Sequence, residues 1–160
     1  MKVIVVTGSV CSGKTTLSKV LAKSLKYSYV DVAKLIKDNN LRGRYLKNFK
    51  TYEVNVTKLN KFLISFINKS KTNLVIDSHL SHYLPKQYVD LCVICKCSVK
   101  ELRKRLKSRK YTKIKIEENL ESEIMDVCYN EALENKHKLV ICDTSKSNIK
   151  KCLEIVGNYK

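Results

Sequence analysis

The sequence has no tryptophan, a single proline (Pro85) and four glycines in 160 residues. So little Pro and Gly leaves no flexible or proline-rich linker, and apolar residues, 44% of the chain, recur in segments of strand or helix length throughout. One domain is therefore expected over residues 1–160, long enough to bury a core without disulfides or a structural metal. No stretch approaches the roughly 18 apolar residues of a membrane span. The opening MKVIVVTG has four consecutive apolar residues before Gly8, too few for the core of a signal peptide. A cytoplasmic protein with no membrane partner is the expectation, and a monomer.

Acidic side chains are also scarce, 15 against 32 basic ones, for a formal charge of +17. Such an excess draws polyanions through long-range attraction and counterion release. Of the basic residues 27 are lysines spread along the whole chain, as a lysine-rich composition alone would give, so the charge supports proximity to RNA or a ribosome without establishing it. The five arginines fall in two short segments, Arg42 with Arg44 and Arg103 with Arg105 and Arg109. A guanidinium offers phosphate oxygens a planar fork that an ammonium lacks, so phosphates are expected at those two places. Seven cysteines make an odd, scattered set without a disulfide framework. Cys92, Cys95 and Cys97 lie in YVDLCVICKC, a strand-like run. Cys92 and Cys95, three apart on a strand, point to opposite faces and belong in the core rather than on one metal.

Strand and helix patterns alternate. Lys2–Val6 is a β-branched run, and Leu17, Val20, Leu21 and Leu25 then recur at helical spacing. A strand near Tyr27–Val30 leads into a helix over Asp31–Asp38, and Asn39–Asn55, with weak periodicity, reads as a mobile insert. Thr57 can cap a helix to Asn68. Strands follow at Asn73–Ile76 and Tyr88–Cys95. Ser98 and Glu101 form a capping box for a helix over Val99–Arg109, a long helix spans Ile114–Glu134, and a last strand, Lys138–Cys142, precedes a helix after Ser145. Strands alternating with helices imply a parallel sheet covered on both faces, a three-layer α/β domain.

The chemistry concentrates in Gly8-Ser-Val-Cys-Ser-Gly13-Lys14-Thr15-Thr16, which fits G-x-x-x-x-G-K-[ST] at every fixed position. It follows a buried strand and opens a helix, so backbone N–H groups and the helix dipole converge on phosphates. Cys11, Gly13, Lys14, Thr15 and Thr16 are thus expected around ATP, with Lys14 on the β and γ phosphates and the Thr15 hydroxyl on Mg²⁺. Asp77 ends the strand NLVID, where a carboxylate can hold the same ion; capping the strand end is the competing role. His79 sits two residues on, at the edge of the cleft or on the plain surface. Arg105 and Arg109, four apart on a helix, suit an anionic acceptor, although that helix is basic all round and they could simply be solvated. Arg42 and Arg44 either clamp the acceptor or are exposed loop charges.

At this point the sequence resembles the adenylate kinase isoenzyme 6 family over nearly its whole length. VIDSH matches the family's V-I-D-x-H at Asp77 and His79. RLKSRKYTKIKIEENLESEI matches R-L-x-x-R-G-Y with a spaced N-x-x-x-E at Arg105, Leu106, Arg109, Tyr111, Asn119 and Glu123. The resemblance implies a P-loop NTPase fold with a five-stranded parallel sheet. It also implies a short monophosphate-binding insert over about 33–56, opening with Tyr29–Asp38, and a short lid over about 108–118 with Arg109 on ATP. Lys146 resembles the residue near the adenine. The implied reaction is ATP + AMP ⇌ 2 ADP with weaker ATP hydrolysis, alongside maturation of the small ribosomal subunit, with a pre-ribosomal particle and a platform protein as partners. The chain departs from the family loop G-T-P-G-V-G-K-T, since Ser9-Val10-Cys11-Ser12 replaces its Pro and middle Gly. Lys37 also stands where Arg is frequent, and Lys110 replaces the Gly after Arg109. An assembly ATPase with water as acceptor, and a kinase of a small hydroxyl metabolite, are the competing readings.

Overall fold

The computed structural model of the chain describes residues 1–145 and 149–159. The order of elements is β1 (Val3–Thr7), α1 (Lys14–Leu25), β2 (Ser28–Asp31), α2 (Val32–Asp38), β3 (Arg42–Leu46), β4 (Thr51–Val54), α3 (Val56–Lys69), β5 (Leu74–Asp77), β6 (Leu91–Lys96), α4 (Val99–Ser108), α5 (Lys113–Ile124), α6 (Val127–Glu134), β7 (Leu139–Asp143) and α7 (Ile149–Gly157). Five strands form one parallel sheet in the order β2-β5-β1-β6-β7, the three-layer α/β arrangement the alternating pattern implied.

β1 lies at the centre and is buried along its whole length, because consecutive side chains of a strand must each find an apolar layer. Val3 and Val5 enter one cluster with Val32 and Ile36 of α2, Leu59, Leu63 and Ile67 of α3, and Ala132 of α6. Ile4 and Val6 enter the other, with Leu17 and Leu21 of α1 and Cys152 and Val156 of α7. Cys92 joins the first cluster and Cys95 the second, so the two thiols do sit on opposite faces of β6. Truncating a fully buried contact such as Leu63→Ala costs about 2–5 kcal/mol. A third, smaller cluster of Cys97, Leu102, Leu106, Ile116 and Leu120 packs α4 against α5 beside Val10 and Cys11. Register sets Val6 opposite Asp77 and Asp31 opposite Asp77, which gathers the carboxyl ends of β1, β2 and β5.

Several sequence expectations need correction. The stretch 39–55, read from its weak periodicity as a mobile insert, contains the antiparallel hairpin β3–β4, pairing Tyr45 with Tyr52 and Leu46 with Thr51. A 3₁₀ turn, Lys47–Phe49, closes it, and Lys50 adopts a left-handed φ of 46°. Both faces of the hairpin are largely wet, so no alternation of apolar and polar residues advertised it. α3 is capped by Asn55, whose side chain accepts from the Lys58 N–H at 2.9 Å, not by Thr57. β6 begins at Leu91 rather than Tyr88, because Lys86–Tyr88 forms a 3₁₀ turn after Pro85. Only half of the expected capping box exists: Ser98 accepts from the Glu101 N–H at 3.4 Å, while the Glu101 carboxylate is taken by Arg105 at 3.0 Å. α4 stops at Ser108, with Arg109 as its cap. The long helix is two, α5 and α6, broken at Asp126 with φ 54°. Lys96, from the end of β6, donates to the Glu123 carbonyl at 3.0 Å and pairs with Asp126, ending α5 although helical periodicity runs across the break.

Candidate functional site

After Thr7 the chain turns through a loop into α1. Gly8 has φ 142°, and a Cβ there would lie 2.5 Å from the Cys95 carbonyl oxygen. Gly13 has φ 95° and a Cβ would meet the Thr144 hydroxyl at 3.0 Å, so both positions require glycine. Between them Cys11 holds φ 65°, a conformation that costs a non-glycine residue about 1–2 kcal/mol. This cysteine stands where the family resemblance expects the loop's middle glycine, and its left-handed φ is one that glycine adopts freely.

Lys14, the first residue of α1, sends its ammonium back across the loop to the Ser9 carbonyl at 2.7 Å. Burial lowers its pKa and the Asp77 carboxylate opposes that shift, so this poorly hydrated cation gains from any anion placed beside it. Asp77 is buried at the end of β5 and accepts a hydrogen bond from the Tyr29 hydroxyl at 2.9 Å. Burial, then Asp77, raises the Tyr29 pKa, and the Thr15 hydroxyl reaches the same phenol. Thr15 and Asp77 therefore flank one side chain. They offer a hydroxyl and a carboxylate, hard oxygen donors that fit Mg²⁺ and not a thiophilic metal.

His79 lies exposed at the edge of the cleft. Desolvation by the surrounding protein, and then the Lys14 ammonium, lower its pKa; its exposure limits the first effect, and the imidazole is mostly neutral at pH 7. A cavity of about 430 Å³ is lined by Cys11, Gly13, Lys14, Thr15, Thr16, His79, Arg105 and Arg109, together with Thr144 and Ile149. Eight of the residues picked from sequence thus share one cleft. Asp77 is buried and is not among the lining residues. Among the described residues, Arg42 and Arg44 do not line it: Arg42 covers the Tyr52 ring at 4.7 Å, and Arg44 pairs with Glu53 at 3.7 Å. Lys146 falls outside the described residues.

Sequence reasoning matched Asn119 and Glu123 to a family motif without giving them a role, and it did not identify Thr144. The buried Glu123 carboxylate accepts from the Ser9 hydroxyl at 2.6 Å, the Cys97 N–H at 2.8 Å and the Lys96 ammonium at 3.2 Å. Asn119, one turn earlier on α5, accepts from the Val10 N–H at 3.3 Å. The two spaced N-x-x-x-E residues thus fasten α5 to the loop. Thr144, just beyond β7, donates to the Ser12 carbonyl and receives Arg105 on its own carbonyl at 2.9 Å. Arg105 is held further by Glu101, so its guanidinium is fixed before any ligand arrives.

Behind the loop runs a second buried chain. The Thr7 hydroxyl meets His82 Nδ1 at 2.7 Å, and His82 Nε2 meets Glu131 at 2.9 Å. Tyr83 donates to the other Glu131 oxygen at 2.7 Å, and the His82 carbonyl accepts from His137 at 2.8 Å. Burial lowers the His82 pKa against the opposing pull of Glu131. A neutral imidazole donating from Nε2 and accepting from Thr7 satisfies both neighbours. The lone His in SHYLP gave no sign of these partners, which lie 75 and 49 residues away.

A family profile described as an AAA domain matches residues 4–126. The adenylate kinase isoenzyme 6 homolog of Schizosaccharomyces pombe is 30% identical over 98% of this chain and 93% of its own length. The adenylate kinase isoenzyme 6 homolog of Caenorhabditis elegans is 28% identical over 98% and 90%. Among solved structures, shikimate kinase from Acinetobacter baumannii in complex with shikimate superposes with a TM-score of 0.65 at 16% identity, covering 100% of this chain and 95% of that one, a likeness of fold.

Proposed function

We propose, from the premise that the chain belongs to the adenylate kinase isoenzyme 6 family and is a P-loop phosphotransferase, that it moves the γ-phosphate of ATP to AMP, with slower ATP hydrolysis. The observation that carries the reading is the single cleft joining a Gly8–Thr16 phosphate loop to a fixed Arg105, to Arg109 and to a neutral His79. The loop amides, Lys14 and the amino end of α1 bind the triphosphate tail. Thr15 and Asp77 would hold Mg²⁺, which would supply charge neutralisation for the triphosphate tail. Arg105 and Arg109 draw the transferring group and the acceptor phosphate together. An anionic acceptor needs cations and alignment more than a general base. Residues 33–56 supply the acceptor region, residues 108–118 the lid, and Lys146 the adenine contact. The family resemblance extends the proposal to small-subunit maturation, with a platform protein as partner and a monomer as the working unit.

Coupled turnover of ATP with AMP, GMP, CMP, UMP and no acceptor tests this. AMP-dependent ADP formation well above the acceptor-free rate is expected, and equal rates with and without AMP sink the kinase reading. His79 favours a second activity in the same cleft, since a neutral imidazole can orient water. His79→Ala should then reduce ATP hydrolysis more than AMP phosphorylation, whereas equal losses count against that division.

A further inference from the structure

A second cavity, of about 210 Å³, opens at the amino ends of β1, β6 and β7, the end of the sheet away from the nucleotide cleft. Its floor is apolar, because Ile4, Leu91 and Val156 belong to the buried cluster of that face. Tyr27 and Tyr159 also line it, with Lys2, Asp90 and Lys138. The backbone around it is fixed before any ligand arrives. The Tyr27 N–H donates to the Ala22 carbonyl at 2.9 Å, the Asp90 N–H to the Val3 carbonyl at 2.9 Å, the Cys92 N–H to the Lys138 carbonyl at 2.9 Å and the Tyr159 N–H to the Val156 carbonyl at 3.1 Å. Such a frame lowers the ordering cost of binding. Two ammonium groups face one carboxylate here, and Asp90 already spends an oxygen on the Val3 N–H at 2.6 Å. The Lys138 ammonium lies 4.7 Å from the centre of the Tyr159 ring, so the place on that ring which a cationic ligand would take is filled. Excess positive charge in the lining of a chain of net charge +17 favours an anion instead. The apolar floor is no place for a fully hydrated ion, so the anion must carry a hydrophobic body. The volume falls below the roughly 300 Å³ at which sites for drug-sized ligands begin, which suits a single ring.

We infer that this cavity binds a small aromatic carboxylate, its ring on the floor of Ile4, Leu91 and Val156 beside the two tyrosines and its carboxylate on Lys2 and Lys138. The site shares no lining residue with the nucleotide cleft and does not depend on the phosphotransferase reading.

Titration of the ¹⁵N-labelled full chain with phenylacetate, followed by amide chemical shifts, tests this. Saturable shifts are expected at Tyr27, Leu91, Lys138 and Tyr159 and not at Gly8–Thr16, with a dissociation constant of about 1 mM. The neutral phenylacetamide and the cationic 2-phenylethylammonium should each bind about fivefold more weakly or worse. Tyr159→Ala should weaken phenylacetate about fivefold and Lys138→Ala about threefold. Leu25→Trp, which fills the cavity from the end of α1, should abolish the shifts, and circular dichroism melts establish that each variant folds. Should the tryptophan variant not fold, the Lys138 variant and the three ligands decide. Saturating ATP should leave the phenylacetate shifts in place. The inference is overturned if 2-phenylethylammonium binds as tightly as phenylacetate, or if the Tyr159 and Lys138 variants bind as well as the parent. It fails equally if inorganic phosphate gives the same saturable shifts, if the shifts spread over the lysine surface without saturating, or if ATP displaces the ligand.

Discussion

The loop at Gly8–Thr16 and the β3–β4 hairpin both present cations suited to phosphate, and they are built in opposite ways. Around the loop three cations are anchored: Lys14 to the Ser9 carbonyl, Arg105 to Glu101 and Thr144, Lys96 to Glu123. On the hairpin the charges stand in water, and Arg44 has only an exposed pair with Glu53 at 3.7 Å, which contributes little. A rigid, desolvated cation acts on one phosphate at one place, as chemistry requires. A solvated one attracts a polyanion from a distance but does not fix it in place.

The contrast breaks first at Lys14. Lys14→Ala should reduce ATP-dependent phosphoryl transfer about 10²–10³-fold in a coupled assay, whereas no single hairpin lysine changed to Ala should exceed a few-fold. Next in size is Glu123→Ala, which leaves the Lys96 ammonium, the Ser9 hydroxyl and the Cys97 N–H without their shared acceptor. A cost of about 3 kcal/mol is expected, read as a fall in Tm of about 6–12 °C. A change under 2 °C would show that the anchoring is dispensable.

The buried His82 chain sharpens the comparison through pH. Because burial sets its folded pKa below the ordinary value of about 6.5, the unfolded chain binds the extra proton. The stability that neutral His82 contributes is full above about pH 6.5 and is lost as pH falls below it. His82→Gln should therefore flatten the drop in Tm between about pH 7.5 and pH 5. An unchanged slope would assign that drop to other groups. Smaller again, Cys11→Gly should raise Tm by about 2–4 °C by relieving the left-handed backbone. Last, Tyr45→Ala should change stability by about 0.5 kcal/mol or less, because its ring is already half in water.

The same contrast explains what could be read in advance. The parallel sheet announced itself through buried β-branched runs such as Val3–Val6, and the phosphate loop through residues fixed within nine consecutive positions. Thr144 and His82 did not, and Glu123 matched a motif without showing its partner, since they act on Ser12, Thr7 and Ser9 from 132, 75 and 114 residues away. Local periodicity carries no information about such pairings. The hairpin was missed for the reverse reason, because a strand pair with both faces in water lacks the apolar alternation that marks strands. The α5–α6 break was hidden by an ammonium arriving from β6.

That break gives α5 the mechanics of a lever. Its carboxyl end is pinned through Glu123 to both the sheet and the loop, while its amino end, tied to the hairpin tip by the Thr112 hydroxyl on the Asn48 carbonyl at 3.0 Å, is about 18 Å away along 12 residues. A tilt of about 10° about the pin sweeps the Arg109–Thr112 turn through roughly 3 Å, a hydrogen bond's length, with no movement required at the fulcrum.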